Sequence, residues 1–204
     1  MCDAVGSRAV RHPPPDLTDR LRAVSDQVLT PHGTASIDEV AAVAEIPRTT
    51  LYYYFSGRDA LVDFLLVDKI ETVAARVAGA VDTAGGPADR LAAVLRAALD
   101  TIAAHPTLCT VLMARLAVLP EADELAASVD QAVIRPLAQL LSEGTATGEL
   151  DVADPETTAH ALYGAVSVAA MSRYTHHGSI DAVALAEALV PRLVAGVHRD
   201  VAPS

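Results

Sequence analysis

Residues 37–61 read IDEVAAVAEIPRTTLYYYFSGRDAL, and this stretch decides the fold. Ser36 stands directly before it and Glu39 follows three residues later, a spacing that forms a capping box and predicts the start of a short helix. Pro47 suits the first position of a second short helix, which is predicted to run to about Phe55. Two short helices separated by a tight turn are typical of a helix-turn-helix unit.

The second short helix is basic, aromatic and rich in hydrogen-bond donors. The chain has two Phe and five Tyr, and four of these aromatic residues stand in the row 52–55. Consecutive helical side chains point in different directions, so some of these rings must face solvent or a partner. No acidic residue lies between Ile46 and Arg58, although the chain carries a formal net charge of −11. Such a helix suits the DNA major groove, where Arg48 can bind a guanine and Thr49 can contact a thymine methyl or a phosphate.

The same stretch resembles the N-terminal signature of the TetR family of bacterial transcriptional regulators. Members of that family carry a hydrophobic-x-x-hydrophobic-Ala core, a short turn, Leu-Tyr-x-Tyr/His-Phe, then Lys or Arg and a downstream Leu. The matching positions here are Ile37, Val40, Ala41, Leu51, Tyr52, Tyr54, Phe55, Arg58 and Leu61. The resemblance implies an all-α fold, with an N-terminal three-helix helix-turn-helix domain followed by a C-terminal helical domain for ligand binding and dimerisation.

The resemblance also assigns roles within the helix-turn-helix. Ser36 would cap a helix whose N-terminus meets a phosphate, and Leu51 and Phe55 would belong to the core. The other residues expected to contact double-stranded DNA are Arg48, Thr49, Thr50 and Tyr52, at bases and phosphates, and Tyr53, Tyr54 and Arg58, at the backbone.

Other roles stay open for these side chains. Any one of the three tyrosines could serve only to pack this small domain, and Arg58 could pair with Asp59 or Asp63. The turn also departs from the family pattern, because Glu45 stands where a glycine is usual, and a left-handed conformation there would cost about 1–2 kcal/mol. Residues 1–59 hold six Arg against eight acidic residues, so this domain is short of the positive charge that gives non-specific DNA affinity.

Composition predicts helices along the whole chain. The 204 residues are 51% hydrophobic but only 3% aromatic, and the strong helix formers Ala and Leu dominate. Apolar periodicity and breaks at Gly and Pro predict about nine helices, near residues 16–30, 37–44, 47–55, 58–81, 88–104, 106–119, 121–143, 155–174 and 180–198. In the first helix Asp16 and Thr18 are expected to provide the cap, Pro136 is expected to bend the seventh, and residues 144–154 are expected to form a polar loop. The predicted domains are a flexible arm at 1–15, the helix-turn-helix at 16–58, the ligand-binding and dimerisation domain at 59–200 and a tail at 201–204.

The last two predicted helices carry apolar stripes with small residues that permit close approach. By the resemblance, they would form an intersubunit four-helix bundle in a homodimer, and a two-fold dimer would bind a palindromic operator. The alternative is that one stripe belongs to the core of a single chain. The residues assigned to the dimer interface are Leu162, Val166, Ala170, Val183, Ala186, Leu189, Val190 and Leu193.

The resemblance further implies a ligand cavity among the helices from about residue 60 to 175. Because aromatic residues are few, an apolar or amphipathic small molecule of unknown identity is expected there. Each lining residue could equally be ordinary core or surface. The candidates are polar or soft side chains in apolar surroundings: His105, Cys109, Met113, Tyr163, Met171 and Tyr174.

Several function classes are disfavoured. His105 and Cys109 lie four residues apart, but zinc would need two further ligands, so no metal site and no cofactor are expected. The sequence shows no nucleophile–base pair, phosphate-binding glycine loop or carboxylate dyad, which disfavours an enzyme. No apolar run reaches the roughly 18–20 residues of a membrane span, so no membrane association and a cytoplasmic location are expected.

Two functions remain as hypotheses. The first is a ligand-responsive transcriptional regulator: a homodimeric repressor that binds a palindromic operator and is released by a small effector. The alternative is a helical dimer of the same fold that acts through protein contacts or small-molecule sequestration and has little DNA affinity, which Glu45 and the charge balance of residues 1–59 favour.

Overall fold

The computed structural model describes residues 12–29, 35–118 and 124–198. Within these ranges the fold is all-α, and the only β-type pairing is a single bridge between Leu150 and His198. Of the predicted arm at 1–15, residues 1–11 lie outside the described residues, as does the tail at 201–204, and Pro15 already belongs to α1. The helices are α1 (Pro15–Val28), α2 (Ile37–Val43), α3 (Arg48–Tyr54), α4 (Arg58–Val81), α5 (Pro87–Ala104), α6 (Pro106–Val118), α7 (Glu124–Val129), α8 (Arg135–Thr147), α9 (Pro155–His177) and α10 (Ala182–Ala195).

A π-helical segment, Asp130–Ile134, joins α7 to α8 without a break. If α7, this segment and α8 are counted as one continuous helix, the described ranges contain the nine helices expected. The irregularity lies directly before Pro136, where the seventh helix was expected to bend. Proline has no N–H to donate to the carbonyl four residues earlier and its ring crowds that carbonyl, which explains a π turn at this place.

Several helix ends differ from the prediction. The N-cap of α1 is Pro14, with Pro15 in the first turn, so the expected caps Asp16 and Thr18 are wrong. Consecutive prolines already hold the backbone φ required for helix entry, and no side-chain cap is needed. Pro47 is likewise the N-cap of α3 and not its first residue.

The expected polar loop at 144–154 begins later than predicted. Helix α8 continues to Thr147 and ends at Gly148, whose φ of 79° is left-handed. Helix α9 continues past the expected end at Tyr174 to His177 and stops at Gly178, again left-handed with φ of 73°. A glycine terminates each helix because it enters this conformation without a Cβ clash.

The chain separates into two compact units, Met1–Leu65 and Leu66–Ser204. In the first unit, α2 packs against both α1 and α3. The boundary falls inside α4, later than the predicted boundary after residue 58. The first turns of α4 belong with the helix-turn-helix, because the rings of Phe55 and Phe64 lie 5.3 Å apart.

The second unit is organised around α5. This helix packs against α6, α8, α9 and α10, and α9 also contacts α6 and α8. An apolar stripe of α5 is buried, at Leu91, Val94, Leu95, Ala98 and Ile102. Among the described residues no single helix meets the length and hydropathy needed to cross a membrane, and only α5 and α6 taken together, bent by 102°, meet them.

Candidate nucleic-acid interface and ligand-binding region

Helix α3 divides into a buried side and an exposed side. Leu51 and Phe55 are buried, which confirms their expected core role. Tyr52 and Tyr53 are 54% and 57% exposed, although large apolar rings are usually covered in a small domain. The ring of Tyr53 packs edge-on against that of Tyr54, with centroids 5.0 Å apart. The tyrosine row therefore presents two rings to solvent and keeps the third half-buried.

The eight predicted DNA contacts lie at the start of α2, along α3 and at the start of α4. None of them is buried, so each is accessible to a partner. The capping box at the start of α2 is confirmed: Ser36 Oγ accepts from the backbone N–H of Glu39, and the Glu39 carboxylate accepts from the backbone N–H of Ser36 at 2.7 Å. Ser36, Arg48, Thr49, Tyr52, Tyr53 and Arg58 are exposed, and Thr50 and Tyr54 are half-buried.

Two acidic residues of α2 accompany the two predicted DNA-contacting arginines. Arg48 Nη1 lies 2.6 Å from Asp38 Oδ2 in an exposed ion pair. The backbone N–H and hydroxyl of Ser36 lower the pKa of Glu39, and the positive charge of Arg58 lowers it further. Arg48 therefore meets a carboxylate of α2 directly, and Arg58 lies close enough to another to act on its ionisation. The pairing of Arg48 with Asp38 was not predicted, because nothing in the sequence brings residues ten positions apart together.

The turn between α2 and α3 has a left-handed residue at the position where the family pattern has glycine. Glu45 has φ of 55°, and it is the one non-glycine residue with positive φ in the described ranges. Arg20 of α1 holds this turn, because its guanidinium donates to the carbonyl oxygen of Ala44 at 2.9 Å and to that of Glu45. The role of Arg20 could not be predicted, since an arginine on the exposed side of α1 carries no local signal of such a contact.

The predicted ligand-binding residues are on α6 and α9 or, for His105, just before α6. Cys109 is buried, and burial raises its pKa to about 11. Tyr163 of α9 has its pKa raised to about 12, mainly by burial and further by Cys109, while the buried Ser167 hydroxyl one turn along opposes this shift. These three side chains form a polar cluster between two packed helices. Met113 is 40% exposed, and His105, Met171 and Tyr174 are half-buried.

A separate open groove of about 1140 Å³ lies on the second unit, along α8. None of the six predicted ligand-binding residues lines it. Its charged side chains include the ion pairs Arg90–Glu143 and Arg135–Asp130. Within the described ranges, no three His, Cys, Asp or Glu side chains converge on a place that could hold a metal ion.

Five of the eight residues assigned to the dimer interface are buried within a single chain. Their stripe faces α5 and the neighbouring helices, which is the core alternative considered for these helices. The five are Leu162, Val166, Ala170, Ala186 and Val190. Of the other three, Val183 is exposed, and Leu189 and Leu193 are half-buried.

The opposite side of α9 and α10 is apolar and uncovered within the second unit. On α9, Ala161 and Val168 are exposed, the latter to 62%, and a Cβ built on Gly164 meets nothing within 4 Å. On α10, Ala184 and Ala188 are exposed. This side is called the outer face below.

Comparison with known proteins supports the resemblance. A family model described as the C-terminal domain of tetracycline-repressor-like proteins matches residues 84–197, more than half of the chain. A search of curated proteins finds no match.

Solved structures share the fold at low sequence identity. The ketosteroid transcriptional regulator KstR2 of Mycobacterium tuberculosis is 19% identical with a TM-score of 0.68, covering 94% of this chain and 100% of its own. The regulator FadR of Bacillus subtilis, solved with stearoyl-CoA, is 19% identical with a TM-score of 0.72, covering 88% and 99%. AibR, solved with isovaleryl coenzyme A and operator DNA, is 17% identical with a TM-score of 0.68, covering 87% and 98%. Since the family model spans most of the second unit, this chain belongs to the TetR family of transcriptional regulators.

Proposed function

We propose that this protein is a ligand-responsive transcriptional repressor that binds a palindromic operator as a homodimer in the bacterial cytoplasm. The observation that carries the proposal is helix α3, which exposes Arg48, Tyr52 and Tyr53 on the second helix of a helix-turn-helix. Such a helix enters the major groove with its N-terminal residues at base edges. The protein acts by binding and not by catalysis.

DNA recognition divides between the two ends of α3. Arg48 and Thr49, in its first turn, would contact bases, with Arg48 on a guanine. Tyr53 and Arg58, near its end and at the start of α4, would contact phosphates. The alternative function, protein contacts or sequestration without DNA binding, is disfavoured because solved structures that share the fold include transcriptional regulators, and one was solved with operator DNA.

The homodimer is proposed to form through the outer face. Small residues let helices approach closely, and Gly164 and Ala165 flank the exposed Val168 on α9. A two-fold dimer requires half-sites about one DNA turn, or a multiple of it, apart.

Light scattering after size exclusion tests this dimer. Val168→Arg should convert the dimer to a monomer, because two-fold symmetry would bring one such charge from each subunit into the same apolar interface. Val43→Arg, which places the same charge on an exposed apolar site of α2, should leave it dimeric. A dimer that withstands Val168→Arg would refute the outer face as the interface.

The effector is proposed to be amphipathic, and an acyl-CoA thioester is the first class to try, because FadR and AibR were solved with stearoyl-CoA and isovaleryl coenzyme A. The cluster of Cys109, Tyr163 and Ser167 offers hydrogen-bonding groups to the polar part of such a molecule, and His105, Met113, Met171 and Tyr174 are the further candidates for lining the site. A thermal-shift series with acyl-CoAs of increasing chain length should show a chain-length optimum. Tyr163→Phe should weaken the binding of the best member.

Fluorescence anisotropy tests DNA binding. Labelled DNA from the upstream intergenic region of the gene, and labelled scrambled DNA, are each titrated with the protein at two salt concentrations. The Arg48→Ala variant is measured in the same way. Tight binding to the specific fragment that Arg48→Ala weakens is the expected result. Equal, weak binding to both DNAs would exclude local autoregulation, and a failed selection from random DNA would then refute the proposal.

A further inference from the structure

We propose that Asp38 is a positioning residue for DNA recognition, whose carboxylate holds the Arg48 guanidinium in the orientation that reads one guanine of each half-site. The inference rests on the proposed function and names a specificity determinant within it. Asp38 does not itself contact a base. It acts through Arg48, with which it forms the ion pair between α2 and α3.

The geometry of this pair joins the first turns of both helices of the helix-turn-helix. Asp38 Oδ2 lies 2.6 Å from Arg48 Nη1, the distance of a charge-assisted hydrogen bond. The side chains are 48% and 64% exposed, so the pair lies at the surface where DNA would arrive and not in the core. An exposed ion pair adds little to the free energy of unfolding, so stability alone does not explain the carboxylate at this position.

The neighbouring acid has a different task. Glu39 closes the capping box with Ser36, so its carboxylate is explained by the start of α2. Asp38 takes no part in that box, and its ion pair is with Arg48 of α3. The capping box therefore explains Glu39 but not Asp38.

The chemistry of the guanidinium explains how such a pair helps. Its N–H donors lie in one plane, and a guanine is read by two of them directed at O6 and N7. A carboxylate bound to Nη1 leaves the Nε–Nη2 edge of the guanidinium available for a base. It also fixes the plane of the guanidinium before DNA binds. Ordering Arg48 in the free protein lowers the entropy that would otherwise be lost on binding.

The same carboxylate penalises the wrong DNA. Its charge repels phosphates whatever the sequence, whereas the benefit of an oriented Arg48 is gained only where a guanine stands opposite. Asp38 thus lowers non-specific affinity and raises the ratio of specific to non-specific binding, a combination of attraction and repulsion that specific interfaces use.

The test is a selection of binding sites from random duplex DNA, followed by anisotropy competition with the selected operator and with operators changed at each base pair. The full-length wild type is compared with Asp38→Asn and Arg48→Ala. Glu45→Gln is the matched control, because it removes one exposed negative charge from the same motif and leaves the Asp38–Arg48 pair intact. Thermal melting confirms that each variant is folded.

The expected result is that Asp38→Asn loses about tenfold in discrimination between the selected operator and an operator changed at one base pair of each half-site. Arg48→Ala should lose discrimination at the same base pair. Adding Asp38→Asn to Arg48→Ala should then change discrimination no further. Asp38→Asn should also bind scrambled DNA more tightly, as Glu45→Gln does. If Asp38→Asn only tightens binding to all DNAs equally, as the control does, the inference is overturned while the proposed function stands. If the wild type selects no sequence, both are overturned.

Discussion

Replacing Glu45 with glycine should stabilise the first unit. Glu45 has φ of 55°, where a residue with a Cβ is strained by about 1–2 kcal/mol. Glycine removes that strain but loses about 0.5–1 kcal/mol more backbone entropy on folding. The net gain is therefore about 0.5–1 kcal/mol. Alanine keeps the Cβ and the strain, so the glycine variant should exceed the alanine variant by about 1 kcal/mol, the reverse of their order inside a helix.

Urea unfolding followed by tyrosine fluorescence measures this difference. The chain has no Trp, and three of its five tyrosines are on α3, directly after the turn. Ala42→Gly, at an exposed position inside α2, is the matched control and should destabilise by about 1 kcal/mol. If Glu45→Ala proves as stable as Glu45→Gly, the residue is not held in the left-handed region and the reasoning about this turn fails.

Three further predictions follow from single contacts. Arg20→Ala should destabilise the first unit by about 1 kcal/mol in the same urea assay, because two carbonyls at the turn lose a charged donor, and Arg20→Lys should retain part of the effect. Gly144→Ala should cost about 1–3 kcal/mol, since its Cβ would lie 2.5 Å from the buried Leu150; Gly79→Ala, which meets nothing within 4 Å, should be neutral or slightly stabilising. In a variant with Cys2 replaced by serine, Cys109 should react with a disulfide reagent at pH 8 roughly 100-fold more slowly than a free thiol. A pKa of about 11 leaves little of the reactive thiolate at that pH. The rate should recover in urea, and fast labelling of the native protein would contradict the burial of this thiol.

The helix-turn-helix could be predicted because its signals are local. A capping box needs only residues three positions apart, and the core role of Leu51 and Phe55 was implied by a family signature within one short segment. The left-handed turn residue was also foreseeable, since Glu45 stands at the place where the family pattern has glycine. Each of these features is decided by neighbours along the chain.

Contacts between distant segments could not be predicted in the same way. Arg20 reaches the turn from α1, and Asp38 meets Arg48 only because α2 packs against α3. The burial of five residues assigned to the dimer interface has a related cause. An apolar stripe such as Leu162 and Val166 has the same pattern whether it faces its own chain or a partner, and here α5 and its neighbours already cover it.

The charges of the first unit suggest how an acidic protein can be selective for DNA. Most non-specific affinity comes from cations that neutralise phosphates, and residues 1–59 hold more acids than arginines. The arginines at the starts of α3 and α4 also have carboxylates of α2 close to them, Asp38 in contact with Arg48 and Glu39 near Arg58. A random sequence therefore offers such a protein little attraction. Under the proposed function, binding would then depend on base contacts made at the operator, and selectivity would arise as much from the low positive charge of this unit as from those contacts.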